Sequence, residues 1–260
     1  MANYHLEVSN ISRGKGSSIA RFFNYITGER IVDKYNGRTY SHIRNDVLFS
    51  KIFLPDHANP AFYDLQFLCD EIDRAEVRYD ARTGREFKCS LPNELPCSEL
   101  VQIVQEFVAH NFVAHGLCAI AAIHEGRNQT DPAKNNPHVH IIVSTRTLEA
   151  DGFCKRKYRE LDHKRYVNIW REDWANIQNR TYERNGMDVR VSHESLEVQG
   201  IRNREPTVHL SRVDWQREMR GICTPAGDRK RAIKARNEER DRQHIRRQER
   251  SRDLAWSRSR

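Results

Sequence analysis

The chain has 260 residues, 31% of them charged and 38% hydrophobic, enough for one sizeable core or a domain with an extension. Its six cysteines are scattered without a Cys-x-x-Cys pair, which argues against both a zinc knuckle and a secreted disulfide framework. No stretch is apolar enough to span a bilayer, and the first residues alternate like a strand instead of reading as a signal peptide, so a cytoplasmic protein without membrane insertion is expected. The net charge of +8 is uneven: residues 211–260 hold 16 Lys and Arg against 8 Asp and Glu, which leaves 28 against 28 in residues 1–210. A tail of that kind is expected either to touch nucleic acid or to form a solvated, salt-bridged helix.

In chain order, residues 3–10 read as a strand, followed by a flexible turn at Gly14, Gly16, Ser17 and Ser18. Ser17 or Ser18 is placed to cap a short helix through about Tyr25, which Gly28 ends. Glu29 to Tyr40 reads as a hairpin around Asn36-Gly37, and Val47 to Leu54 as a strand stopped by Pro55. A helix is predicted over roughly 60–80 and a short strand from Glu86 to Leu91. From Ser98, apolar residues recur at Leu100, Val101, Val104, Phe107, Val108 and Phe112, an amphipathic helix that Gly116 ends. Strands are predicted at 117–124 and 138–145, with a polar loop from Glu125 to Pro137. Asp162 is expected to cap a helix bearing Tyr166, Ile169, Trp170, Trp174 and Ile177 on one face, and the chain from Ser211 reads as charged helix or as a tail that orders on DNA. The predicted class is α+β: a mainly antiparallel sheet with helices on one face, a domain over 1–210, and a basic helical or disordered extension over 211–260.

The chemistry-bearing stretch is Asn135-Asn136-Pro137-His138-Val139-His140-Ile141-Ile142-Val143. A strand projects residues i and i+2 to one face, so His138 and His140 share a side. His124 ends the neighbouring apolar run, and pairing of the two runs would gather three imidazoles. Such a set holds a cation and leaves open positions for a substrate oxygen; imidazoles at strand ends are otherwise plain hydrogen-bonded surface groups.

Several segments resemble one known family. Ser17-Ser18 leads into a short helix and Tyr25-Ile26-Thr27-Gly28-Glu29-Arg30, then an Asn-Gly hairpin. Leu54-Pro55, Arg85-Glu86-Phe87 running into Leu91-Pro92, Ala122-Ile123-His124, the histidine run through Thr145-Arg146, and Ser192-His193-Glu194-Ser195 onward follow in the same order. Over about residues 3–210 the chain resembles the MobA/MobL plasmid mobilisation relaxases, tyrosine endonucleases of the His-hydrophobic-His (HUH) type. That resemblance implies a metal-dependent strand transferase that nicks one DNA strand at a transfer origin, stays linked to the 5′ end through phosphotyrosine, and rejoins the strand after conjugative transfer. Carried onto this sequence, it makes Tyr25 the nucleophile and His124, His138 and His140 the ligands of a divalent ion: Mg or Mn in use, with Zn, Ni or Co acceptable to imidazole. Its partners would be single-stranded or hairpin origin DNA, accessory mobilisation proteins and a conjugative coupling protein.

A phenol ionises weakly near neutrality and needs help to attack a phosphodiester. Glu86 is the first candidate for a supporting carboxylate and Glu76 the second, each with a surface ion pair as its alternative role. Arg146 and the run Lys155-Arg156-Lys157 are candidates to grip phosphate, with closing off the end of its strand as the alternative role of Arg146. Two other readings remain open on the sequence alone: a rolling-circle replication initiator, which usually places its tyrosine after the histidines, and a non-catalytic DNA-binding protein on the same scaffold.

Overall fold

The strand at Leu117–His124 is buried along its whole length, so the sheet must be covered on both faces. The computed structural model describes residues 4–128, 131–132, 135–208 and 210–258. In chain order its strands are β1 (Leu6–Ser12), β2 (Ile31–Asp33), β3 (Arg38–Tyr40), β4 (Val47–Phe53), β5 (Arg82–Ser90), β6 (Leu117–His124), β7 (His138–Glu149) and β8 (Gly152–Phe153). Its helices are α1 (Ile19–Thr27), α2 (Leu65–Ala75), α3 (Cys97–Asn111), α4 (Arg165–Arg184), α5 (Arg212–Met219) and α6 (Pro225–Arg258). The main sheet runs β1-β5-β7-β6-β4, antiparallel throughout, with β8 added to the end of β7; β2 and β3 form the separate hairpin around Asn36-Gly37.

Alternation along the strands sorts the core into two layers. Ala119, Ala121, Ile123, Val139, Ile141, Val143 and Phe87 face α3 and α4. There Phe87 meets Phe112 at 4.8 Å and Trp170 at 4.9 Å, and Phe107 meets Trp174 at 4.9 Å between ring centroids. Burying each such ring contributes about 2–3 kcal/mol. Cys118, Ile120, Ala122 and Ile142 face the other way, toward α1 and α2. The expected helical cover is thus the α3/α4 layer, and α1 and α2 add a second one opposite. Ile19, Phe23 and Ile26 of α1 recur at helical spacing and bury against that second face.

Helix boundaries follow local chemistry. Ser18 Oγ accepts from the Arg21 amide at 3.3 Å to start α1, and Gly28, at φ 75°, ends it. Residues 60–63 form a short 3-10 turn, and α2 begins only after Asp64, whose carboxylate accepts from the Phe67 amide at 2.7 Å. Asp162 does not cap α4: it sits in its own 3-10 turn and pairs with Arg82 at 2.7 Å and Arg85 at 2.5 Å, while α4 starts after Lys164 without a side-chain cap.

The chain divides into two compact units, Met1–His193 and Glu194–Arg260, so the division falls before the expected residue 210. Within the second unit, Glu205 pairs with Arg236 at 2.7 Å and Arg240 at 3.0 Å, tying the 194–210 stretch to α6. His209 lies outside the described residues. Among the described residues, no helix is long and apolar enough to cross a membrane.

At the end of β7, Glu76 accepts from Thr145 and Arg146 at 2.8 Å each and pairs with Lys157 at 2.9 Å. Burial would raise the Glu76 carboxyl, but hydrogen bonds from Arg146, Lys157 and Thr145 outweigh it and hold it below the ordinary carboxylate range. A carboxyl depressed in the folded state stabilises above its unfolded pKa and loses that contribution as pH falls through its folded value. Glu76→Ala, which strands two partly buried cations, is expected to cost about 3 kcal/mol in urea unfolding at neutral pH. It should also flatten the loss of stability on acidification; an unchanged midpoint would contradict this role.

Candidate active site

Directly opposed residues on paired strands point to one face. His124 on β6 pairs with His138 on β7, and His140 follows two residues later opposite Ala122. Three rings therefore meet, with centroids 5.3 Å (His124–His138), 4.9 Å (His124–His140) and 5.2 Å (His138–His140) apart. One ligand nitrogen from each lies within 4.8 Å of the other two.

Each ring has one nitrogen spent on an outer partner. His124 Nε2 lies 2.8 Å from the Ile26 carbonyl, His138 Nδ1 2.8 Å from the Asn136 carbonyl, and His140 Nδ1 3.0 Å from Glu86 Oε1. Each of these partners accepts, so those nitrogens carry the protons and the opposite ones are lone-pair donors. His124 Nδ1 is left buried with no hydrogen-bond partner. A buried acceptor without a donor is costly unless something electropositive meets it, and the set His124 Nδ1, His138 Nε2 and His140 Nε2 suits a divalent transition ion. Burial lowers the His124 pKa to about 4 and also lowers that of His138, which keeps both rings neutral and able to ligate at physiological pH. Gly126 closes the base of the β6–β7 loop: at φ 59°, a Cβ there would fall 2.1 Å from the same Asn136 carbonyl that holds His138.

Tyr25 occupies the last turn of α1, one residue before the carbonyl that His124 holds. Its ring stands edge-on to His140 at 5.4 Å and to His124 at 6.2 Å, and it is 45% exposed, so the phenol is reachable from solvent. The preceding Phe23 and Asn24 are buried. Asn24 Nδ2 donates to the carbonyls of Glu29 at 2.7 Å and His42 at 3.1 Å, which fixes the helix end to the chain entering β4.

The expected site residues separate into two ends of the sheet. Glu86 lies at the imidazoles, almost wholly buried; its carboxylate also accepts from Ser9 at 3.3 Å and meets Lys88 at 3.8 Å, so it is placed to orient His140. Arg146 is six residues beyond His140 on β7, roughly 20 Å along the strand. Arg146 and Lys157, candidates to grip phosphate, are both turned onto Glu76. Lys155 and Arg156 are exposed at that same far end, where the Lys155 carbonyl accepts from Arg146, and the structure does not bring them to the histidines.

Sequence reasoning passed over Arg44 and Asp46, in the connector between β3 and β4. The Arg44 guanidinium lies over the Tyr25 ring, 4.9 Å from its centroid, and donates to the Tyr25 carbonyl at 3.2 Å. Asp46 accepts from Arg44 Nε at 2.8 Å and Nη2 at 2.6 Å, and that hydrogen bonding holds its carboxyl down at about 2. Gly28 permits the approach, because a Cβ there would sit 3.0 Å from the Arg44 amide nitrogen.

The model of the MobA/MobL family matches residues 17–220. The chain belongs to the MobA/MobL family. Its relatives include the "Probable mobilization protein MobA" of Bifidobacterium longum, 31% identical over 80% of this chain and 43% of that protein. Another is "Mobilization protein A" of Escherichia coli, 32% identical over 88% of this chain and 32% of that protein. The chain thus spans less than half the length of these two relatives. A solved structure described as the "Molecular Basis of Vancomycin Resistance Transfer in Staphylococcus aureus" is 27% identical, with a TM-score of 0.68 over 75% of this chain and all of that one. The MobA/MobL membership and the α+β class expected from the sequence are both met.

For this MobA/MobL chain, Glu86→Ala frees the His140 ring to turn and change tautomer. Affinity for Mn2+ is expected to fall roughly 10–100-fold by isothermal titration, with the fold retained; equal affinity would show that Glu86 does not orient the ligand.

Proposed function

We propose that this chain is a relaxase domain: a DNA endonuclease and strand transferase that uses Tyr25 to cut one strand at a plasmid transfer origin and to reseal it. The observation that supports the reading most is the half-exposed Tyr25 ring standing 5.4 Å from His140, beside three imidazoles whose free nitrogens converge. The Tyr25 phenol oxygen attacks the scissile phosphorus, the P–O3′ bond breaks, and the 3′ hydroxyl leaves with a proton while Tyr25 holds the 5′ phosphate. The reverse attack by a 3′ hydroxyl restores the strand and frees Tyr25; a phenoxide leaves readily enough to keep the step reversible. His124, His138 and His140 would hold a divalent cation, with Mn2+ suited to imidazole and Mg2+ the other candidate, and such an ion would supply positive charge to the phosphate oxygens. Glu86 and the Ile26 and Asn136 carbonyls hold the three rings in their ligating tautomers. The exposed Lys155 and Arg156, away from the reacting phosphate, and the basic residues beyond 210 provide salt-dependent contact to DNA. Action on a plasmid places the protein in the cytoplasm, and transfer calls for accessory mobilisation proteins and a coupling protein as partners.

The test uses end-labelled single strands tiled across a plasmid that encodes this protein, incubated with Mn2+ and run on a denaturing gel. One strand should yield a covalent protein–DNA adduct that chelation prevents and that Tyr25→Phe fails to form. An undiminished adduct from Tyr25→Phe would overturn the nucleophile; binding of every strand with no adduct from any would favour a non-catalytic DNA-binding protein.

A further inference from the structure

The geometry points to Arg44, braced by Asp46, as the residue that positions the Tyr25 phenol, an inference that rests on Tyr25 being the nucleophile. Tyr25 is the third residue from the end of a nine-residue helix and is nearly half exposed, so packing alone does not fix its ring. Arg44 takes hold of it twice. The guanidinium carbon lies over the ring, 4.9 Å from its centroid, and Nη1 donates to the Tyr25 carbonyl at 3.2 Å. The opposite edge of the same guanidinium, Nε and Nη2, is engaged by both carboxylate oxygens of Asp46 at 2.8 and 2.6 Å. Arg44 is therefore a rigid bracket and not a swinging surface arginine.

Asp46 in turn is anchored to the imidazole strand. Its carbonyl accepts from the Glu125 amide at 2.8 Å, and the next residue, Val47, pairs with His124. A continuous path thus runs from His124 through the start of β4 to Asp46, Arg44 and the Tyr25 ring. The Tyr25 ring also stands edge-on to His140 and His124. The Tyr25 ring thus meets two imidazoles and a guanidinium that is itself tied, through Asp46 and Val47, to the strand of one of them. Positioning of this kind matters because a displacement of about 1 Å at a reacting atom can cost roughly 100-fold in rate.

Lysine cannot replace this arginine, since an ammonium has neither a plane to cover a ring nor a fork to meet a carboxylate. Arg44→Ala, Arg44→Lys and the milder Asp46→Asn are made in the full chain, with 3-fluorotyrosine incorporated and the residue-25 fluorine resonance assigned by its loss in Tyr25→Phe. In metal-free protein, that resonance should narrow and move toward the free-tyrosine position in all three variants. With Mn2+ and the reactive single strand, single-turnover adduct formation should fall roughly 10–100-fold in both Arg44 variants and less in Asp46→Asn. The Kd for the same strand should stay within about twofold. An unmoved fluorine resonance overturns the proposal, as does a parent-like rate, or a rate and an affinity that fall in the same proportion. Should Tyr25→Phe still form the adduct, the nucleophile reading fails on its own account, while the fluorine resonance still decides whether Arg44 holds the ring.

Discussion

One buried hydrogen bond organises this site: the 2.8 Å contact between His124 Nε2 and the Ile26 carbonyl. It satisfies one of the open carbonyls at the end of α1. It also forces the proton of His124 onto Nε2, and so turns the lone pair of Nδ1 toward the other two imidazoles. And it pins the helix end bearing Tyr25 to the strand bearing the first of the three imidazoles. Without it, the α1 terminus and the imidazole cluster would be two unrelated features of the same sheet face.

The rest of the unit keeps that contact in register. The α3/α4 layer, with its Phe87–Phe112–Trp170 ring cluster, makes the sheet a rigid platform. Ile19, Phe23 and Ile26 fasten α1 to the opposite face at helical spacing, and Asn24 holds its end to the chain at His42. The imidazoles and Tyr25 lie at one end of β7. The other end is a closed ion network around Glu76, which explains how residues 1–210 can carry as many acids as bases: several of those bases are internal partners of carboxylates.

Much of this was legible in the sequence because it rests on short-range periodicity. The two-residue spacing of His138 and His140 in a β-branched run fixes their common face, and Ser18 and Gly28 announce both ends of α1. Family resemblance, not periodicity, singled out Tyr25, since a tyrosine on an amphipathic helix reads first as core. What escaped depends on long-range pairing. Arg146 and Lys157 look like phosphate ligands until Glu76, some seventy to eighty residues earlier, is seen to hold them. Asp162 has the composition of a helix cap, yet two arginines of β5 draw it away. Arg44 and Asp46 lie in the polar run Ser41-His42-Ile43-Arg44-Asn45-Asp46, where nothing in the spacing distinguishes one charge from another. Only the folded chain brings that run against Tyr25.

The central claim is that three imidazoles, one through Nδ1 and two through Nε2, share one cation beside the Tyr25 ring. Anomalous diffraction at the manganese edge, from crystals of the full chain grown with Mn2+, tests it most directly. A single strong peak is expected, bonded to His124 Nδ1, His138 Nε2 and His140 Nε2, with the Tyr25 ring facing it. A peak at other residues, or one at the histidines with Tyr25 turned away, would contradict it.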